Sequence, residues 1–248
     1  MKNILILNPN SSNDVTLAMS KLVPHPPSGI RLVFMTAPKD APSTINNAED
    51  AIKSADACMK LFESDPERYL CFDGYLIGCF SNHPLIYRLR SKFSSKKHQP
   101  VVLGILQASV LYAVSQVGGP NVDRQKIVIL TSGNSWKPIL DKAVHDTLCG
   151  PDSSGNDSDY SKRLPTFFMP TEETGMGVLE LARPEGYKKL VCQINGLKNK
   201  GAKFIILGCA GFSGMDHKFR RDVPGVVFID TVKCGIETLC SYVRFNES

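Results

Sequence analysis

The 248-residue chain has no apolar run that approaches the roughly 20 residues of a membrane span; its longest apolar stretches are strand-length. It also lacks any C-x-x-C pair, although it carries eight cysteines at irregular spacings. Its N-terminus, Met1-Lys-Asn-Ile-Leu-Ile-Leu-Asn, has an apolar run too short for a secretory signal. These absences argue against a disulfide framework or a zinc ribbon, so a reduced, cytoplasmic protein is expected, with nuclear access left open. Neither a Walker-type loop nor a dinucleotide fingerprint is present, and Gly175 and Gly177 read as a plain loop. Neither sign of charge dominates, with 29 Lys and Arg against 24 Asp and Glu. The formal net charge of +5 is scattered, and its densest piece, residues 88–97, reads as a solvated helix face and loop. Neither nucleic acid nor a membrane is therefore an expected partner.

What is there instead is an alternation of β-rich apolar runs with amphipathic stretches, the signature of βαβ units and a mainly parallel sheet. The spacing predicts strands at residues 4–7, 30–35, 75–79, 101–106, 127–130, 204–209 and 226–229. Helices are expected over 14–23, capped by Ser12 or Asn13, over 46–63, from Pro84 onward, and over 108–117 and 138–148. In residues 46–63, Ala48, Ile52, Ala55, Met59 and Phe62 fall at helical spacing as one apolar face.

The pattern restarts at Lys126. Asn3-Ile-Leu-Ile-Leu-Asn-Pro-Asn-Ser-Ser and Lys126-Ile-Val-Ile-Leu-Thr-Ser-Gly-Asn-Ser each place four aliphatic residues before a small, polar loop. Cys79 lies 75 positions after Ile4, and Cys209 lies 82 positions after Ile127. The Gly/Ser/Asp/Asn-rich stretch 150–163, read as a flexible insertion, can absorb the difference. The expected fold class is α/β, with two pseudo-symmetric lobes, each a mainly parallel sheet flanked by helices, and the active site in the cleft between them. Lobe 1 spans 1–120, with the C-terminal helix 231–248 packing back on it. Lobe 2 spans 121–230.

Two segments stand out, Tyr75-Leu-Ile-Gly-Cys79 and Phe204-Ile-Ile-Leu-Gly-Cys209. Each is an apolar run that ends by delivering a thiol to a loop, and ligands of parallel sheets bind beyond the carboxyl ends of the strands. Asn8 and Thr131 stand at the corresponding ends of the first strand in each half. A lone strand-end cysteine is usually packing; a symmetric pair suggests thiols on two faces of one carbon. A helix starting near Pro84 is expected to lower the Cys79 pKa. His83 and His217, four and eight positions after the thiols, are either ordinary loop histidines or bases in a Cys–His arrangement. Asp230 either caps the last helix or touches substrate.

Asn8-Pro-Asn-Ser-Ser, Gly78-Cys-Phe-Ser81 and Leu207-Gly-Cys-Ala-Gly211, in this order, resemble the hydantoin/allantoin racemase family. That family is a branch of the wider aspartate/glutamate racemase superfamily, and the chain is similar to its fungal members. The likeness runs through nearly the whole chain outside the insertion. Gly-Cys-Ala-Gly resembles the hydantoin branch, where amino-acid racemases tend to carry Gly-Cys-Thr-Glu. The resemblance implies cofactor-independent racemisation without a metal, in purine or ureide nitrogen catabolism. Cys79 and Cys209 are then the acid/base pair, and Asn8, Ser81, Thr131 and Ser132 match positions that hold substrate. Two places depart from the family: Ser11 stands where Thr is usual, and Asn82-His-Pro where Asp-Pro is more frequent.

The chemistry supports this independently. The C5–H of a hydantoin sits beside a carbonyl, so its anion is delocalised without a cofactor as electron sink. Two thiols then provide two-base proton transfer. Backbone N–H groups of Ala210, Gly211 and the polar loops would stabilise the enolate-like oxygen. Those loops carry no Arg or Lys, which favours a neutral cyclic ureide over a dicarboxylate. Two rivals stay open: another superfamily activity, such as maleate-type cis–trans isomerisation or decarboxylation, and a non-catalytic ureide-binding protein. A homo-oligomer is compatible with the usual symmetric assembly of one chain.

Overall fold

The strands are apolar at successive positions because both faces of each sheet are covered, the condition of parallel sheets in α/β proteins. In the computed structural model, which describes residues 1–23, 25–95, 99–118, 125–133, 135–151, 159–176, 180, 183–209, 212 and 214–246, eight strands form two sheets of four. The strands are β1 (Lys2–Asn8), β2 (Ile30–Thr36), β3 (Gly74–Ile77), β4 (Val101–Gly104), β5 (Lys126–Thr131), β6 (Glu172–Glu173), β7 (Ala202–Leu207) and β8 (Val227–Asp230). The helices are α1 (Asn13–Ser20), α2 (Ala48–Ser64), α3 (Pro66–Tyr69), α4 (Pro84–Phe93), α5 (Ile105–Gln116), α6 (Trp136–Cys149), α7 (Pro184–Asn199), α8 (Asp216–Asp222) and α9 (Thr231–Phe245). The sheet orders are β2-β1-β3-β4 and β6-β5-β7-β8, and every pairing is parallel. The second order repeats the first with each strand advanced by four, so the repeat seen in the sequence is a repeat of topology.

The chain divides into two compact units, Met1–Ala108 with Val232–Ser248, and Ser109–Thr231. In the first, the period-two alternation of β1 splits its side chains between two cores. Leu5 and Leu7 pack with Ala55, Cys58 and Phe62 of α2 and Leu85, Leu89 and Phe93 of α4. Ile4 and Ile6 pack with Val232, Ile236, Leu239 and Val243 of α9, which returns to this sheet from the far end of the chain. In the second unit, Val128, Leu130, Ile205 and Leu207 pack with Leu190, Ile194 and Leu197 of α7 and with Phe219 of α8. Burying each such Val, Leu, Ile or Phe side chain contributes about 1.5–3 kcal/mol.

Four expectations are corrected. The apolar face of α2 is rotated: Ala51, Ser54, Ala55, Cys58 and Phe62 are buried, while Ile52 is 46% exposed and Ala48 is exposed. Small side chains let the helix approach the sheet closely, and the Ser54 hydroxyl donates to the Pro9 carbonyl in the loop after β1. Helix α1 stops at Ser20, three residues early, where Lys21 and Leu22 close the turn onto Ala18 and Met19. Strand β4 ends at Gly104, and α5 begins at the next residue, with no loop between them. Strand β6 is absent from the sequence reading because Glu172–Glu173 carries no apolar signal; its pairing with Leu130 and Thr131 is made by backbone. Among the described residues no helix is long and apolar enough to cross a membrane, and all eight cysteines are free thiols.

Candidate active site

In the first unit β1 and β3 are neighbours, and the last registered pair is Leu7 with Ile77. The ladder makes one further bond, from the Gly78 N–H to the Leu7 carbonyl at 2.8 Å. Asn8 and Cys79 therefore leave the sheet from adjacent strand ends at its carboxyl edge. Gly78 is needed there for space: a Cβ would meet Met19 Cε at 2.3 Å and the Leu7 carbonyl oxygen at 3.1 Å.

The loop after β1 is held by Asn8 itself. Its side-chain amide donates to Asn10 Oδ1 at 2.8 Å, to the Ser12 carbonyl at 2.9 Å and to Thr16 Oγ1 at 3.1 Å. Its Oδ1 accepts from the Asn10 N–H at 3.2 Å. Asn10 Oδ1 in turn accepts from the Ser12 N–H, and the Ser11 hydroxyl donates to the Ala41 carbonyl. Asn8 is fully buried with its amide engaged, so it shapes this loop from beneath. Asn both donates and accepts, which is what a hub of this kind requires. Thr16, which also pairs with Thr36 at 2.7 Å, was invisible to motif reading because its neighbours in sequence say nothing of Asn8.

Beyond Cys79 the chain turns sharply, with the Ser81 N–H donating to the Cys79 carbonyl at 2.9 Å. The Cys79 Sγ and Ser81 Oγ lie 3.3 Å apart. Burial pushes the half-buried Cys79 thiol up to about 11, against a smaller lowering by the Ser81 hydroxyl. This corrects the expectation that the following helix lowers it. The first N–H groups of α4 are already taken, because His83 is its N-cap: Nδ1 accepts from the Leu85 N–H and the His83 carbonyl from the Ile86 N–H. His83 itself is fully buried, and burial, aided by the nearby Arg88 charge, pushes it down to about 4. At neutral pH it is an uncharged cap whose lone pair is committed, which removes it as a base for the thiol. His217, on α8, is 77% exposed and 4.0 Å from Asp216.

The second unit repeats the frame. The Gly208 N–H donates to the Leu130 carbonyl at 2.9 Å, so Thr131 and Cys209 leave from adjacent strand ends as Asn8 and Cys79 do. Thr131 is 2% exposed, and its carbonyl accepts from the Thr174 N–H; Ser132 is half-buried. After Cys209, the Phe212 N–H donates to the Cys209 carbonyl at 3.0 Å, and the Phe212 ring is anchored in the core at 1% exposure. Asp230, at the end of β8 beside Leu207, accepts from the Gly214 N–H at 3.3 Å. It thus grips the loop that carries the thiol. Ala210 and Gly211, expected to offer backbone N–H groups, lie outside the described residues. Asn8, Cys79 and Ser81 share one sheet edge, and Thr131, Ser132 and Cys209 share the equivalent edge of the other unit.

Two all-parallel sheets of the same strand order, each with Gly-Cys following its third strand beside a polar loop on its first, define a duplicated α/β scaffold with one strand-end thiol of this kind per unit. The chain belongs to the Asp/Glu/Hydantoin racemase family, whose model matches residues 4–239. It is 32% identical to "Protein DCG1" of Saccharomyces cerevisiae over 256 aligned residues, covering 99% of this chain and 98% of that one. It is 26% identical to the hydantoin racemase of Rhizobium meliloti over 239 residues, 95% of this chain and 86% of that protein. In fold it is similar to the allantoin racemase from Klebsiella pneumoniae, with a TM-score of 0.75 at 20% identity, covering 99% of this chain and 89% of that one.

Proposed function

We propose that this protein is a cofactor-independent racemase of allantoin or another 5-substituted hydantoin, with Cys79 and Cys209 as its proton-transfer pair. The observation that carries this reading is the equivalence of the two thiols. Each stands one residue past a Leu–Gly backbone bond, at the carboxyl end of the third strand of its sheet. Racemisation needs a proton taken from one face of a carbon and another supplied to the opposite face, and two equivalent acid/base groups match that demand.

Each residue then has a role. Cys79, held protonated in the ligand-free protein, begins as the proton donor. Ser81, 3.3 Å from its sulfur, steadies the thiol. Thr131 and Ser132 hold the ring, and Asn8 keeps the first polar loop in shape through its four hydrogen bonds. The named activities of the hydantoin and allantoin racemases that this chain resembles favour a ring ureide. So does the lack of Arg and Lys in residues 8–12 and 131–135, where a dicarboxylate would need a cation.

The decisive experiment follows optical rotation of single enantiomers of allantoin and of a panel of 5-substituted hydantoins, together with deuterium uptake from solvent at the same carbon. Loss of rotation with matching exchange is expected. Unchanged rotation and no exchange across the panel would overturn the reading.

A further inference from the structure

The segment that joins Cys79 to α4 is held from another strand end. Gln107, in the first turn of α5 just after β4, is 8% exposed, and its Nε2 donates to Asn82 Oδ1 at 3.0 Å. The same oxygen accepts from the Tyr87 hydroxyl at 2.7 Å. The amide of Gln107 lies over Gly104, where a Cβ would fall 2.2 Å from Gln107 Oε1 and 2.5 Å from Ile86 Cδ1. Gly104 is registered with Ile77 on β3, two residues before Cys79, so this amide sits at the carboxyl edge of the sheet beside the thiol strand.

Two buried side-chain atoms, Gln107 Oε1 and Nε2 of His83, the residue after Asn82, are without a hydrogen-bond partner among the described residues. They differ in kind. Gln107 Oε1 is an acceptor. His83 accepts the Leu85 N–H through Nδ1, so the proton of the neutral ring is on Nε2, which is a donor. Each unmet buried group costs about 1–3 kcal/mol, and native proteins keep few of them. A ligand edge with one N–H and one C=O would satisfy both.

We propose that Gln107 Oε1 and the His83 Nε2–H are an acceptor–donor pair that reads an amide edge of the ligand bound at Cys79, with the Asn82 side chain holding Gln107 in place. This rests on the reading of Cys79 as part of a site for a ring ureide. A carboxylate cannot replace such a ligand, because it has no N–H for Gln107 and sets two oxygens against an acceptor. Gln107 also acts as a positioning residue through Asn82.

The test uses 5-methylhydantoin and its N-methylated derivatives as probes, with binding measured by titration calorimetry and turnover by polarimetry. Wild-type protein is expected to bind the parent at least about tenfold more tightly than the derivative whose blocked nitrogen faces Gln107. Gln107→Met and His83→Asn, the latter keeping an N-cap acceptor, are expected to weaken parent binding about tenfold, raise KM with kcat largely kept, and preserve the melting temperature. In Gln107→Met the preference for the free N–H should vanish. The derivative series on wild-type protein keeps the test valid if a variant fails to fold. Equal binding of parent and all N-methylated forms, or variants with unchanged Kd and KM, overturns the pair and leaves the racemase reading standing. Selective binding without racemisation supports the pair and overturns the racemase reading. Absence of binding overturns both.

Discussion

The loops that follow Cys79 and Cys209 start from the same frame and end differently. Both leave the third strand of a sheet ordered second-first-third-fourth, after a glycine whose N–H closes onto a leucine carbonyl of the first strand. After Cys79 the chain turns through Ser81 and enters a ten-residue helix capped by a neutral imidazole. After Cys209 it is anchored by Phe212, tied by Gly214 to the Asp230 carboxylate, and enters a helix of seven residues. Strand order thus decides where a thiol emerges, while the segment that follows decides what holds it.

The largest test of that equivalence is to remove each sulfur in turn. Cys79→Ser and Cys209→Ser are each expected to lower racemisation by about 10²–10⁴, the range of a lost acid/base group, while each variant keeps solvent exchange with one enantiomer. Two variants that racemise normally would break the comparison outright.

Next in size is an acid-side effect confined to the Cys79 loop. His83 has a folded pKa of about 4 against the ordinary 6.5, so between those values the unfolded chain binds a proton that the folded one refuses. Stability is full above pH 6.5 and falls by about 3 kcal/mol as pH drops to 4. Denaturant melts over this range should show that slope in wild type and its loss in His83→Asn. An unchanged slope in the variant would remove His83 as the cause.

The thiols themselves provide a third contrast. With Cys79 pushed up to about 11 from 9.0, its thiolate fraction at pH 8 is about 100-fold below that of an ordinary thiol. Iodoacetamide labelling followed by peptide mass mapping should find Cys79 correspondingly slow. Cys79 labelling as fast as the exposed Cys71 would contradict the protonated state assigned here.

The smallest effect belongs to the other loop. Asp230→Ala removes the acceptor of the Gly214 N–H and is expected to lower stability by about 1–2 kcal/mol. Limited proteolysis should then cut faster within residues 209–216 and at an unchanged rate within 79–84. Equal acceleration in both loops would mean that Asp230 supports the whole protein and not the Cys209 loop.

Much of the fold was legible from sequence because buried parallel strands must be apolar on both faces. The runs at Ile4, Tyr75, Ile127 and Phe204 therefore announce themselves, and the Gly-Cys ends follow from where they stop. Strand β6 was illegible because its two glutamates pair through backbone alone. The face of α2 was misread because periodicity ranks Ile52 above Ser54, whereas close packing against the sheet ranks them the other way. Within the site, Cys79 and Ser81 were visible as neighbours in a motif. Gln107 was not, because its link to Asn82 spans 25 residues and depends on Gly104 leaving space beneath the amide.

By itself the sequence determined the duplicated α/β pattern, the pair of strand-end thiols and the cation-free polar loops. Each is a property of short segments whose chemistry is carried by adjacent residues. Tertiary structure alone decided that β1 lies between β2 and β3, so that Asn8 and Cys79 leave adjacent strand ends, and that His83 is buried and neutral. It also left Gln107 Oε1 and His83 Nε2 without a hydrogen-bond partner among the described residues. The reason is physical: register, desolvation and hydrogen-bond satisfaction depend on which distant residues close around a group, and no local pattern encodes them.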